Sequence, residues 1–194
     1  MALLSYFIVY FMLAFVWRSL VVYKHSGQNP LVLSSRDDAY GYVGRAFKVL
    51  ILVVVTIVVI NATEPKWISL LGALSPLQNS FCSQLGWALL TISLLVLVVA
   101  QAQMGNSWRI GIDEMNRTEL VSSGLFALSR NPIFLAMRIN LIGLLLVLPN
   151  AVTLALVATG EVLMQVQVRL EEAHLQNLHG AKYMEYSTRA RRWL

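Results

Sequence analysis

One long polar stretch divides the chain; it begins Gln101-Ala-Gln-Met-Gly105-Asn-Ser-Trp108 and ends Ser129-Arg130-Asn131-Pro132-Ile133-Phe134. Apolar runs of membrane-helix character lie on either side of it. Connecting loops carry function more often than the helices that hold them. We therefore expect the functional side chains to lie in this loop and in the segment that packs against it.

The composition is that of a membrane protein. Of 194 residues, 57% are hydrophobic and only 13% are charged, whereas soluble domains carry about 25% charged residues. We predict an all-α integral membrane protein with a single domain over residues 1–194. The net charge of +5 does not indicate nucleic-acid binding, because no basic run is interleaved with aromatic residues. The single cysteine, Cys82, excludes an internal disulfide.

Five apolar runs are predicted to span the bilayer, since about 20 apolar residues cross its hydrocarbon core. They cover residues 3–23, 43–62, 85–102, 133–148 and 151–168. The first run lacks the basic region and the cleavage site of a secretory signal, so it is interpreted as a membrane helix. The first two helices and their loops form an N-terminal part, residues 1–84, and the remainder forms a second part, residues 85–194.

The last two runs are predicted to form a tight antiparallel hairpin. Only Pro149-Asn150 separates them, and these residues are typical of a helix–helix turn. Asn131 is expected to cap the first arm, with Pro132 at the first helical position.

Two charged residues, Arg138 and Glu161, lie inside this hairpin and equally far from its turn. Charges within a membrane usually face the bundle interior and pair. We therefore predict a contact between Arg138 and Glu161, which is either structural or part of a substrate pocket.

The basic residues predict the orientation. Five spans place all but one of the 15 lysines and arginines on one side, with Lys66 alone on the other. Cytoplasmic loops carry the excess of Lys and Arg, so the first residues are expected outside and the central loop and C-terminal tail in the cytosol. The two polar segments then meet on one face. The lack of targeting signals and the compact size favour a bacterial inner membrane.

The C-terminal tail, residues 169–194, is polar and is predicted to be helical to about Tyr186. Its adjacent carboxylates, Glu171 and Glu172, can be a solvated helix end, and its terminal arginine-tryptophan group can be an interfacial anchor. His174 and His179 are five residues apart in the sequence. This spacing places them on different helix faces, so no metal site is predicted.

Several short motifs follow one another along the second half of the chain. They are Met104-Gly105-x-x-Trp108, Leu120-Val121-x-x-Gly124-Leu125-Phe126, Arg130-Asn131-Pro132-Ile133-Phe134, Glu171-Glu172 and His179-Gly180-x-x-Tyr183-x-x-Tyr186. In order and spacing they resemble the isoprenylcysteine carboxyl methyltransferase family, an integral-membrane group that also includes phospholipid N-methyltransferases. The resemblance covers the chain from about Leu85 to its last residue.

The chain departs from the family pattern at four places. Asn131 stands where the family usually has histidine, Phe134 where it has tyrosine, and His179 where it has phenylalanine. Near Gln101 the family often has a histidine. These departures leave the identity of the methyl acceptor open.

The resemblance implies S-adenosyl-L-methionine as the cofactor, bound between the cytosolic central loop, the start of the hairpin and the C-terminal helix. The residues that it assigns to this pocket are Gln101, Trp108, Leu120, Val121, Gly124, Leu125, Arg130, Asn131, Pro132, Glu171, Glu172, Tyr183 and Tyr186. A carboxylate can hold the cofactor's ammonium group and an arginine its carboxylate. Aromatic faces, such as those of Trp108 and Tyr183, attract a sulfonium.

The implied reaction is methyl transfer to a hydrophobic or lipid-like acceptor that reaches the pocket from the bilayer. The candidate catalytic residues are Arg130, Glu171 and Glu172. The candidate substrate residues are Phe134, Arg138 and Glu161. A thiol or amine acceptor needs a base, for which Glu171 or Glu172 is the candidate, whereas a carboxylate acceptor needs none. Two alternatives are kept: a relative of the membrane sterol-type reductases, which bind NADPH, and a non-catalytic membrane scaffold of the same fold.

Overall fold

The computed structural model describes residues 1–27, 37–109, 111 and 119–194. In this part of the chain the regular elements are helical, and only two isolated bridges pair single residues. The α-helices are α1 Ala2–Phe11, α2 Arg18–Ser26, α3 Ala39–Thr63, α4 Ser80–Met104, α5 Leu125–Leu128, α6 Pro132–Val147, α7 Ala151–His179 and α8 Ala181–Arg189. A π-helical segment, Met12–Trp17, joins α1 to α2, and 3-10 turns occupy Pro65–Leu71, Ser75–Leu77 and Gly105–Ser107.

Four helices are long and apolar enough to cross a membrane: Ala2–His25, Ala39–Thr63, Ser80–Ser107 and Ala151–His179. The prediction of an all-helical membrane protein is therefore confirmed for the described residues. The fifth predicted span, α6, has 16 residues, and its length of about 24 Å is shorter than that of the other four. Two basic residues of the orientation count, Arg36 and Arg117, lie outside the described residues.

The helices continue beyond the apolar runs that predicted them, and α7 shows this most clearly. It runs past Val168 to His179, because helical backbone hydrogen bonds do not depend on an apolar surface. It ends at Gly180, which has a φ of 55°, a left-handed conformation that glycine adopts at little cost. The first part of the polar tail, residues 169–179, is thus a direct extension of the hairpin's second arm, which fixes the positions of Glu171 and Glu172 along that helix.

The predicted hairpin consists of α6 and α7, joined at Leu148–Asn150. The Asn150 side chain accepts a hydrogen bond from the backbone N–H of Thr153 at 3.0 Å, and the Thr153 hydroxyl accepts one from the N–H of Asn150 at 3.2 Å. This reciprocal cap satisfies two backbone donors at the helix start. The loop between α3 and α4 is attached to the same turn, since the Ala151 N–H donates to the Gly72 carbonyl at 2.8 Å.

Helices α4 and α6 approach each other closely. A Cβ atom on Gly86 would lie 2.9 Å from the carbonyl oxygen of Gly143, and a Cβ atom on Gly143 would lie 3.0 Å from that of Gly86. Small residues allow such approach in membranes, where packing rather than the hydrophobic effect holds helices together. This contact sets the position of α6 and therefore of Asn131 and Pro132 at its start.

The N-terminal helix is tethered to α4 at three levels. The Tyr6 hydroxyl donates to the Leu90 carbonyl at 2.7 Å and accepts from the Asn140 amide at 2.7 Å. About three helical turns further along α4, nearer the central loop, the Gln101 amide donates to the Ala14 carbonyl at 2.8 Å. At the loop itself, the Arg18 guanidinium donates to the Gly105 carbonyl. Hydrogen bonds of this kind stabilise helix association in lipid, and they hold α1 as one wall of the space described below.

Candidate functional site

The C-terminal tail packs directly against the end of the central loop. The backbone N–H of Arg130 donates to the Arg191 carbonyl at 2.8 Å, and Ser129 forms an isolated parallel bridge with Arg191. The Tyr186 hydroxyl donates to the Phe126 carbonyl at 2.7 Å. The two polar segments that sequence reasoning expected to meet are therefore in contact.

Glu172 lies at the centre of this contact, and it is only 8% exposed. Arg130 donates to its carboxylate from Nε and Nη2 at 3.2 Å, and Arg192 donates from Nη2 at 2.8 Å. The Asn131 amide adds a further hydrogen bond at 3.1 Å. Both carboxylate oxygens are thus occupied by two guanidinium groups and one amide, and this network joins α7, the start of α6 and the tail.

The guanidinium of Arg130 is fully used inside the protein. Besides its bonds to Glu172, its Nη1 donates to the carbonyls of Ser187 and Ala190 at 2.9 and 3.0 Å. An arginine side chain has five N–H donors, and these partners engage all three of its nitrogens. The geometry therefore favours Arg130 as a clamp between α7 and the tail over the expected ligand of a cofactor carboxylate.

Asn131 occupies the predicted cap position of α6, but its side chain makes no capping hydrogen bond. The Nδ2 atom donates instead to Glu172 and to the Arg192 carbonyl, at 3.1 Å in each case. The nearby cluster of charges offers this amide stronger partners than a helix N-terminus does. The expectation of side-chain capping was wrong, and the residue belongs to the Glu172 network.

Two polar groups near this network have no partner in the described part of the chain. The Glu171 carboxylate forms no hydrogen bond or ion pair with any described residue, and the Tyr183 hydroxyl is buried without a hydrogen-bond partner there. Burial raises the pKa of Tyr183 to about 12, and the negative charge of Glu172 acts in the same direction. The hydroxyl is therefore protonated at neutral pH and can donate as well as accept.

Both groups line a cavity of about 860 Å³ between the helices and the central loop. Twelve of the predicted site residues contribute to its lining. They are Gln101, Trp108, Leu120, Val121, Arg130, Asn131, Pro132, Phe134, Glu171, Glu172, Tyr183 and Tyr186. Trp108 is 3% exposed, and Gln101 lines the cavity while its amide nitrogen holds the first helix.

Four predicted site residues lie outside the cavity lining. Gly124 and Leu125 pack on α4, where the backbone N–H of Leu125 donates to the side-chain oxygen of Gln103 at 2.8 Å. A Cβ atom on Gly124 would lie 2.5 Å from the same Gln103 side chain. These two residues shape the loop rather than the cavity surface. Arg138 and Glu161 are the other two.

Arg138 and Glu161 form the predicted contact. The Arg138 Nε lies 2.7 Å from one Glu161 oxygen, and Nη2 donates to the other at 3.0 Å. The guanidinium also stacks on the Trp193 ring, 4.3 Å from its centroid. Because the pair does not line the cavity and instead holds the tail's last aromatic residue, the structural alternative is favoured over a substrate pocket.

Replacing Glu161 by glutamine should lower the free energy of unfolding by about 1 kcal/mol, the usual scale of polar contacts between membrane helices. The measurement is reversible unfolding in matched detergent, combined with Arg138→Gln in a double-mutant cycle. Affinity for ligands of the cavity should not change. Purely additive effects of the two substitutions would contradict the interaction.

Sequence reasoning missed the cavity wall supplied by the first helix. Phe7, Phe11 and Phe15 line the cavity, and neighbouring rings in this row have centroids 6.0 and 5.8 Å apart. Their spacing of four residues was visible as one helix face. In a membrane helix, however, an apolar face towards lipid and one towards a cavity look alike in sequence.

Comparison with known families gives the wider context of this geometry. Residues 81–182, more than half of the chain, match the family described as phospholipid methyltransferase. The matched range contains Arg130, Asn131 and both adjacent carboxylates. Comparison with curated proteins found no match. The chain belongs to the phospholipid methyltransferase family of integral-membrane methyltransferases.

Proposed function

We propose that this protein transfers a methyl group from S-adenosylmethionine to a lipid-like acceptor that enters from the bilayer. The observation that supports this most strongly is the single cavity that joins the Glu171 and Tyr183 groups to an apolar space between helices. Membership of a methyltransferase family supports the reaction class.

The residues present fit the proposed cofactor. S-adenosylmethionine, when bound, supplies an electrophilic methyl group carried by a sulfonium. The unpartnered Glu171 carboxylate suits its ammonium group, and the buried Tyr183 hydroxyl offers a further hydrogen bond. A buried polar group that lacks a partner costs about 1–3 kcal/mol, which a ligand's hydrogen bond would offset. The Trp108 ring can attract the sulfonium.

The two adjacent carboxylates have different proposed roles. Glu172 is held by Arg130, Arg192 and Asn131, so it is a positioning residue that fixes the tail and cannot readily accept another proton. Glu171 is the candidate ligand and, for a thiol or amine acceptor, the candidate base. The chain's main contribution is to hold two reactants in line and to exclude water.

The acceptor is proposed to meet the cofactor near Asn131 and Phe134. Both side chains line the cavity, where Asn131 belongs to the Glu172 network and Phe134 packs against the hydrophobic core. Leu120, Val121 and Pro132 supply apolar surface at the same end. A hydrophobic acceptor suits these walls, because its apolar groups leave lipid for an equally apolar surface.

We also propose five membrane crossings, with α6 as the fifth span, the first residues outside and the tail in the cytosol of a bacterium. The hairpin supports this arrangement, because α6 must return the chain to the side from which α7 starts. The test is labelling with a membrane-impermeant maleimide in a Cys82→Ser background. A cysteine at Ser75 should react in intact cells and one at Lys182 only after permeabilisation; the reverse pattern would overturn the orientation.

Calorimetry on the detergent-solubilised protein tests the function directly. S-adenosylhomocysteine should bind and NADPH should not, and labelled S-adenosylmethionine should then transfer its methyl group to extracted membrane lipids. Binding of NADPH alone would support the sterol-type reductase alternative. Binding of neither ligand would support the non-catalytic scaffold.

A further inference from the structure

The cavity extends far beyond the polar site. On α7 its lining runs from Leu175 to Gly160, a distance of about 22 Å at 1.5 Å per residue. Gly160 is about 16 Å from Glu171 by the same measure. The lining at this inner end is largely apolar and includes Phe7, Leu50 and Val54; Asn140, whose amide donates to the Tyr6 hydroxyl, is a polar residue of the same lining. A cofactor held at Glu171 and Tyr183 would leave this inner part free.

The inner end closes against Gly160. A Cβ atom on Gly160 would lie 2.3 Å from Leu141 Cδ1 and 3.4 Å from Leu50 Cδ1. Any side chain at this position must therefore displace Leu141. Since Leu141 itself lines the cavity, its displaced side chain has cavity space into which it can move. The depth of the inner end is thus controlled by the contact between residues 160 and 141.

The walls of this inner part come largely from the first two long helices. Phe7, Phe11 and Phe15 form one side, and Phe47, Leu50, Ile51 and Val54 of α3 add to it. All of these precede residue 81, where the family match begins. The matched part of the chain therefore carries the polar end and also Leu141 and Gly160, and the preceding part supplies further walls of the inner end.

We propose that the inner end holds the hydrocarbon chain of the methyl acceptor, and that the Gly160–Leu141 contact sets the longest chain accepted. This inference rests on the proposed function and specifies its substrate as a lipid with a long chain that passes Phe134 and ends near Val54. For a chain that binds from aqueous solution, each methylene buried along this path should raise affinity about fourfold. The gain should cease when the chain reaches Gly160.

The test measures chain binding separately from methyl transfer. Purified protein in amphipathic polymer is loaded with a fluorescent polyene fatty alcohol, which is displaced by saturated fatty alcohols of increasing length. For the unaltered protein, potency should rise with length and then level off. Gly160→Ala should move this plateau to a shorter chain, and Leu141→Ala should move it to a longer one. Val162→Leu is the matched control, because Val162 lies on the outer surface of α7 and is 62% exposed.

Affinity for S-adenosylhomocysteine, measured on the same samples, distinguishes the possible failures. It should be unchanged in all three variants, since Gly160 is far from Glu171. Unshifted plateaus in both cavity variants, with this affinity retained, would overturn the chain-length proposal and leave the methyltransferase function standing. Shifted plateaus in a protein that binds no S-adenosylhomocysteine would support the chain-length proposal and overturn the methyltransferase function. If Gly160→Ala does not fold, Leu141→Ala decides the matter, because it introduces no clash.

Discussion

Glu172→Gln is expected to abolish cofactor binding by releasing the C-terminal tail. The substitution keeps the shape of the side chain but leaves the Arg130 and Arg192 guanidinium groups without their counter-charge. Breaking a buried ion pair on one side costs about 3–5 kcal/mol, and both Arg130 and Glu172 are largely buried, with side chains 13% and 10% exposed. The docked state of the tail should therefore be disfavoured by about two to four orders of magnitude, the equivalent of that free energy.

Two measurements check this result. Hydrogen exchange should show loss of protection in α8 and the residues that follow it, while α4 and α6 remain protected. Calorimetry should show no binding of S-adenosylhomocysteine. Glu185→Gln is the matched control, because Glu185 pairs with Arg189 on the exposed surface of the same tail, where both side chains are about 70% exposed. If Glu172→Gln retained both the protection of the tail and the affinity for S-adenosylhomocysteine, the Glu172 network would not be required for cofactor binding.

Glu171→Gln is expected to weaken cofactor binding by about 10- to 100-fold without lowering the stability of the fold, because it removes one of two adjacent negative charges. A hydrogen bond to a charged group contributes about 1.5–3 kcal/mol, and the substitution removes the charge that the ligand's ammonium group would meet. No described residue pairs with Glu171, so no internal contact is lost. Neither the free energy of unfolding in detergent nor the protection of the tail against hydrogen exchange should fall below that of the unaltered protein.

The contrast between these neighbours is the sharper test. One substitution should change tail docking and binding together, and the other should change binding alone. If Glu171→Gln released the tail as well, or bound S-adenosylhomocysteine with full affinity, Glu171 would not be the cofactor ligand. A further fall in turnover at saturating cofactor would assign Glu171 the additional role of a base.

The helices and the hairpin were predictable because their signals are local. Apolar runs of sufficient length mark membrane helices, and Pro149-Asn150 marks a turn. The Arg138–Glu161 contact followed from these two facts alone, since equal distance from a turn means equal depth in a hairpin. The meeting of loop and tail followed from the placement of basic residues on one side.

The division of roles between Glu171 and Glu172 was not predictable. Adjacent helical residues point about 100° apart, since a helix has 3.6 residues per turn. Which carboxylate faces the cavity depends on the path of the tail, and that path is set by backbone bonds to Arg130 and by Trp193 on Arg138. The cavity wall formed by the first helix was not predictable either. Its position depends on long-range contacts such as the Tyr6–Leu90 hydrogen bond, which joins residues 84 positions apart.

The three tethers of the N-terminal helix share a property with evolutionary consequences. In each one the acceptor is a main-chain carbonyl, of Leu90, Ala14 or Gly105. A main-chain carbonyl remains an acceptor after almost any substitution of its own side chain. These three hydrogen bonds between the N-terminal helix and α4 therefore depend on only three side chains, the donors Tyr6, Arg18 and Gln101. Substitutions at the cavity-facing residues of that helix leave these three hydrogen bonds intact. Related chains could thus acquire new substrate preferences by altering Phe7, Phe11 or Phe15, without rebuilding the scaffold around them.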